Sequence, residues 1–131
     1  MSHTIYEIEN PRTIVFQANA DYDTRVEMAA VMEALMALLE TCTEPVFHIV
    51  DLSRVPPVDF SRMIEGANAA ARGPNPVLHH PMIRKVIYIT GDDLIKAALH
   101  GMDSEMFVHV KVLMVDEIEE ALAFIGQEAG A

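Results

Sequence analysis

Val46-Phe47-His48-Ile49-Val50, followed by Asp51-Leu52-Ser53, is the stretch on which the fold turns. The run is short, mostly apolar and rich in strand-forming residues. A strand with one wet face alternates apolar and polar residues; a parallel strand covered on both faces reads as a nearly continuous apolar run. Val46–Val50 is of the second kind and predicts a central strand of an α/β sheet. Asp51-Leu52-Ser53 then lies at its carboxyl end, and Val55-Pro56-Pro57-Val58 beyond is too proline-rich for regular structure.

Upstream, Ile5-Tyr6-Glu7-Ile8-Glu9 alternates as a half-buried strand does. Asn10-Pro11-Arg12 carries turn chemistry, and Thr13–Ala18 is a second strand, so the chain opens as a hairpin. A helix follows. Thr24 and Glu27 have the spacing of a capping box. Met28, Val31, Met32, Leu35, Leu38 and Leu39 recur at helical spacing until Thr43-Glu44-Pro45 ends the pattern.

Downstream, Asp59 is placed to cap a helix from Phe60 through Ala71, which Gly73-Pro74-Asn75-Pro76 stops. Arg84–Thr90 reads as the next strand. Gly91-Asp92-Asp93 leads into a short helix through Leu99, with Gly101 as its C-terminal cap. Phe107–Leu113 alternates as the last strand, and Asp116 and Glu119 open a final helix whose apolar face is Ile118, Ala121, Leu122 and Ile125. The predicted order is β-β-α-β-α-β-α-β-α in a single domain, residues 1–131. It implies an α/β fold with a mixed sheet packed by about four helices.

That order resembles the STAS domain, the fold of bacterial anti-sigma-factor antagonists and of the cytoplasmic tails of sulfate transporters. The local resemblance lies in Ile49-Val50-Asp51-Leu52-Ser53-Arg54-Val55-Pro56-Pro57-Val58-Asp59-Phe60-Ser61. STAS domains carry a similar strand, an Asp-Leu-Ser-like turn, and then Asp-Ser-Ser-Gly or Asp-Ser-Thr-Gly at a helix start. Val115–Leu122 also looks like that family's last strand-to-helix junction. The resemblance implies a partner-binding loop and helix start at Asp51, Ser53, Asp59, Phe60, Ser61 and Arg62. Phe60 and Arg62 stand where the family keeps its phosphorylatable hydroxyl and its glycine, so the phospho-switch is degenerate. Ser61 is the neighbouring hydroxyl that a phosphate at the helix start would occupy, where an anion is favoured; a serine there more commonly caps.

The remaining features bound the function. With 20 acidic and nine basic residues the net charge is −11, which disfavours nucleic acid and anionic lipid, because phosphate binding needs clustered Lys and Arg. No apolar run approaches the roughly 20 residues of a membrane span. The single cysteine, Cys42, has no internal disulfide partner, which suits a reducing cytoplasm. His79-His80, His100 and His109 match no zinc spacing. No nucleophile elbow, P-loop or dinucleotide fingerprint is present. The expectation is therefore no metal, no cofactor and no catalysis.

Three readings follow, in order. The first is a regulatory module that docks a protein such as an anti-sigma, kinase-like or other signalling partner. The second is a sensor or carrier of a small apolar ligand. The third, distant, is an enzyme pairing Asp51 with His79 or His80. Sheet edges also leave a homodimer open.

Overall fold

The computed structural model describes residues 3–9, 12–55, 80–93, 95–97 and 112–129. Five strands form one sheet in chain order: β1 (His3–Ile8), β2 (Thr13–Ala18), β3 (Val46–Asp51), β4 (Ile83–Ile89) and β5 (Val112–Val115). The described helices are α1 (Thr24–Glu40) and α2 (Ile118–Ala129), and residues 93 and 95–97 are helical as well. β1 and β2 pair antiparallel; β2, β3, β4 and β5 are mutually parallel. The opening hairpin and the mixed α/β sheet are thus as the sequence predicts. The expected helix over Phe60–Ala71 lies outside the described residues.

β3 is buried along its whole length, as its unbroken apolar run requires. Its two faces meet different layers. On one, Ile14, Phe16, Val50, Val86 and Tyr88 pack with Val31, Leu35 and Leu39 of α1. On the other, Val15, Phe47, Ile49, Ile87 and Ile89 pack with Ala121 and Ile125 of α2. Register aligns Val15 with Ile49 and Ile49 with Ile87, giving a row of β-branched residues with no exposed surface. Each such side chain contributes about 1.5–3 kcal/mol when fully buried.

Among the described residues His48 is the one imidazole in this interior, 2 % exposed on the α1 side. Its Nδ1 lies 2.9 Å from the carbonyl of Ile14; a carbonyl only accepts, so Nδ1 carries the hydrogen. Burial holds its pKa below the ordinary value, and the bond to Ile14 opposes that shift.

α1 is joined to β1 near its start and, through Arg12, just beyond its end. Near its start Glu27 meets His3 at 3.1 Å, beside a cluster of the His3, Phe16 and Tyr22 rings. Beyond its end, Arg12 donates from Nε to Glu7 at 2.8 Å and from Nη2 to the Thr41 hydroxyl at 3.1 Å. Cys42 is buried there, its thiol donating to the Leu38 carbonyl at 3.5 Å.

Several local expectations need correction. The cap of α1 is Asp23, not Thr24: the carbonyl of Asp23 accepts from the N–H groups of Val26 and Glu27, and the Glu27 carboxylate reaches back to the Asp23 N–H at 2.8 Å. The Glu27 half of a capping-box contact is thus made, four residues from its cap rather than three. At α2 the first carbonyl to accept is that of Glu117, and Asp116 instead pairs with Lys96 at 2.9 Å. β1 starts at His3 rather than Ile5, because His3 and Thr4 still find partners in Ala18 and Gln17. β4 is one residue earlier than read. β5 runs on to Val115, opposite Ile89; residues 107–111 of the predicted strand lie outside the described residues.

Candidate functional site at the carboxyl edge of the sheet

In open α/β sheets, ligands and partners meet the carboxyl ends of parallel strands, where backbone direction changes and loops gather. β2 ends there with Gln17 and Ala18, β3 with Asp51, and β4 with Ile89. β1, antiparallel to β2, crosses the same part of the sheet with Tyr6 opposite Val15.

Asp51 is 4 % exposed, and a carboxylate so placed requires hydrogen-bond donors. It has three. The Ser53 N–H donates to Oδ1 at 2.9 Å and the Ser53 hydroxyl to the same oxygen at 2.6 Å. Gln17, its direct neighbour in the β2–β3 register, donates from Nε2 to Oδ2 at 3.2 Å. The first two contacts form an Asx-turn, the local device by which Asp reverses a chain after a strand. Leu52 N–H donates to the Ile89 carbonyl at 2.9 Å and Val55 N–H to the Leu52 carbonyl at 3.1 Å. The turn is therefore fastened to the sheet on two sides. Ser53 and Arg54 are exposed on it.

Tyr6 belongs to the same neighbourhood. Burial raises its phenol pKa first, the negative charge of Asp51 raises it further, and the Arg54 guanidinium lowers it. One face thus presents a buried anion, a phenol, an exposed hydroxyl and a guanidinium. Among the described residues Arg54 has no ion-pair partner within 4.0 Å, in contrast to Arg12, Arg84 and Lys96.

Asp51 and Ser53 are therefore brought together as a unit. Asp59, Phe60, Ser61 and Arg62 lie outside the described residues, as does His79. His80 is described and is not near Asp51. It precedes Ile83 at the opposite end of β4, whereas Asp51 pairs with Ile89; the six intervening steps span roughly 20 Å at about 3.3 Å each. Its Nδ1 accepts the Met82 N–H at 3.0 Å, a turn contact. Asp92 caps the helical residues after β4, with the Ile95 N–H 3.4 Å from Oδ1 and the Lys96 N–H 3.0 Å from its carbonyl.

Gln17 and Tyr6 escape a reading by motif because their proximity to Asp51 is set by strand register, whereas Arg54 follows it within the same turn. Only the shared position of Gln17 and Asp51 at strand ends hints at it. Among the described residues no three His, Cys, Asp or Glu side chains are placed to hold a metal ion, and no helix is long and apolar enough to cross a membrane.

No family model matches the sequence, and no curated protein matches it. The architecture, however, is similar to a solved structure: the crystal structure of an uncharacterised protein from the DUF3478 family, with a SpoIIAA-like fold, from Shewanella loihica PV-4. The likeness covers 93 % of this chain and 90 % of that chain, with a TM-score of 0.54 at 12 % identity. At that identity the likeness speaks for the fold and for nothing finer. The chain has the SpoIIAA-like, STAS-type fold.

Proposed function

We propose that this chain is a non-catalytic regulatory module that docks a protein partner at the carboxyl edge of its sheet. The surface is the Asp51–Ser53 turn together with the segment that carries Asp59, Phe60, Ser61 and Arg62. The observation that carries this reading is the hold on Asp51: two donors of Ser53 meet Oδ1 and Gln17 meets Oδ2. A general base is aimed at its substrate, whereas this carboxylate is oriented by the chain itself. In this reading it shapes the docking surface. The SpoIIAA-like fold supports the same reading.

In this reading the partner is a signalling protein of the anti-sigma or kinase-like type. Phe60 has no hydroxyl to phosphorylate, so docking is not switched at that position, and Ser61 is the adjacent hydroxyl in sequence. The test is affinity capture with the full chain from its native cells, beside Ser53→Arg, which fills the exposed turn. A specific protein retained by the original and lost by the variant supports the proposal. Equal retention by both removes the turn from the interface.

A further inference from the structure

The geometry points to Arg54 as the anchor for a carboxylate of the docking partner, so that the segment this surface receives is acidic. The inference rests on the docking reading above and adds the chemistry of the partner to it. Arg54 is exposed on the turn, and among the described residues it has no ion-pair partner within 4.0 Å. Arg12, Arg84 and Lys96 are paired with Glu7, Glu128 and Asp116. Asp51, the carboxylate that opens the same turn, already accepts from Ser53 and Gln17. The Arg54 guanidinium therefore keeps its planar fork of N–H donors in solvent, a shape that a carboxylate meets with two parallel bonds.

The base of this side chain is fixed. Leu52 N–H bonds to the Ile89 carbonyl and Val55 N–H closes back on Leu52, so little backbone freedom is left to lose when a partner seats. Tyr6 stands on the same face of the sheet as Asp51. It pairs with Val15 of β2, and alternation carries that face to Gln17, the neighbour of Asp51 in β3. The Tyr6 phenol feels both the Asp51 carboxylate and the Arg54 guanidinium, and burial favours its protonated form. It thus adds a donor beside Arg54 and no second negative charge. Arg and Tyr are side chains on which binding energy concentrates at interfaces.

The net charge of the chain makes this inference specific. At −11 the surface as a whole attracts basic segments and repels acidic ones. An acidic segment is admitted where a cation offsets that field, and on this turn the cation is Arg54. Its pairing with a carboxylate fixes the register and orientation of the partner, and a segment without an acid at that place leaves the guanidinium desolvated and unpaired.

Selection from a displayed random-peptide library on the immobilised full chain tests this, with amide chemical shifts to locate each selected peptide. We expect the retained peptides to be rich in Asp and Glu, against the basic sequences that net charge alone favours, and to shift the amides of Leu52–Val55. Arg54→Gln should bind them at least about tenfold more weakly with an unchanged melting temperature. Arg54→Lys, which keeps the charge and loses the fork, should fall between. Peptides that seat on the turn without acidic residues, or that bind Arg54→Gln as well as the original chain, overturn the carboxylate anchor and leave the docking surface standing. A library that yields no peptide shifting Leu52–Val55 overturns both.

Discussion

The Ser53 hydroxyl donates to Asp51 Oδ1 at 2.6 Å, which ties an exposed polar residue of the turn to a buried carboxylate of the sheet edge. The pair converts a backbone reversal into a surface of fixed shape. Asp51 is out of water but not short of partners, and Ser53 is in water but not free to rotate.

Removing the carboxylate should therefore cost more than removing the hydroxyl. Asp51→Ala strands the Gln17 amide and both Ser53 donors, at about 1–3 kcal/mol. Asp51→Asn should cost less, because Gln17 can turn its amide and offer its oxygen to the new NH2 group. Urea denaturation of the two variants measures the order, and Asn as damaging as Ala would show that charge rather than hydrogen bonding holds the turn.

Ser53→Ala removes one charge-assisted bond and leaves the Ser53 N–H contact in place. Its exposed position sets the expected cost near about 1 kcal/mol. Ser53→Thr keeps the hydroxyl and should restore most of that loss. Thermal melts of both variants check this, and a threonine variant as unstable as the alanine one would count against the hydroxyl contact.

His48 predicts the acid side of the stability curve. Its folded pKa lies below the ordinary 6.5 because burial disfavours the charged ring. As pH falls through 6.5 the unfolded chain takes up a proton that the folded chain refuses. Stability is thus fully present above that value and declines below it, by at most about 1.4 kcal/mol per pH unit, until the folded pKa is reached. His48→Gln should flatten this slope. Denaturation midpoints from pH 7 downward decide it (about one proton in the slope is the linkage expected), and an unchanged slope in the variant would assign the effect to other groups.

The tyrosines predict the alkaline side. Burial pushes the Tyr22 phenol up to about 12, with Glu27 and Asp23 adding to the shift, and burial raises Tyr88 as well. The neutral phenols are favoured by the fold, so their contribution is present below the ordinary value of 10.0 and is lost as pH rises above it. Phenolate absorbance should appear for these residues together with unfolding rather than before it. A reversible early titration of all three tyrosines, with the far-ultraviolet dichroism intact, would contradict this packing.

Much of the fold was readable because burial leaves a direct trace in sequence. The unbroken apolar run of β3 and the helical spacing of Val31, Leu35 and Leu39 each report which faces are covered; β1 reads as half-buried, yet Ile5 packs on the α1 side and Tyr6 and Ile8 on the other. Helix caps were readable only to within one residue, since Asp23-Thr24 and Asp116-Glu117 each offer adjacent polar residues and the choice depends on backbone direction. Asp51 and Ser53 were legible as neighbours in a turn. Gln17 and Tyr6 were not, because register sets which residue of β2 meets Asp51, and register is a property of the assembled sheet. His48 is hidden within its apolar run, its fixed contact being a backbone carbonyl on another strand.

The central claim, a docking surface built on the Asp51–Ser53 turn, is tested most directly by measuring the affinity of the captured partner for the original chain and for Ser53→Arg and Leu122→Arg. Leu122 is exposed on α2 and is not part of the turn. The account predicts a loss of at least about tenfold, or 1.4 kcal/mol, for Ser53→Arg and no change for Leu122→Arg. Equal affinity of all three chains, or a loss confined to Leu122→Arg, would contradict it.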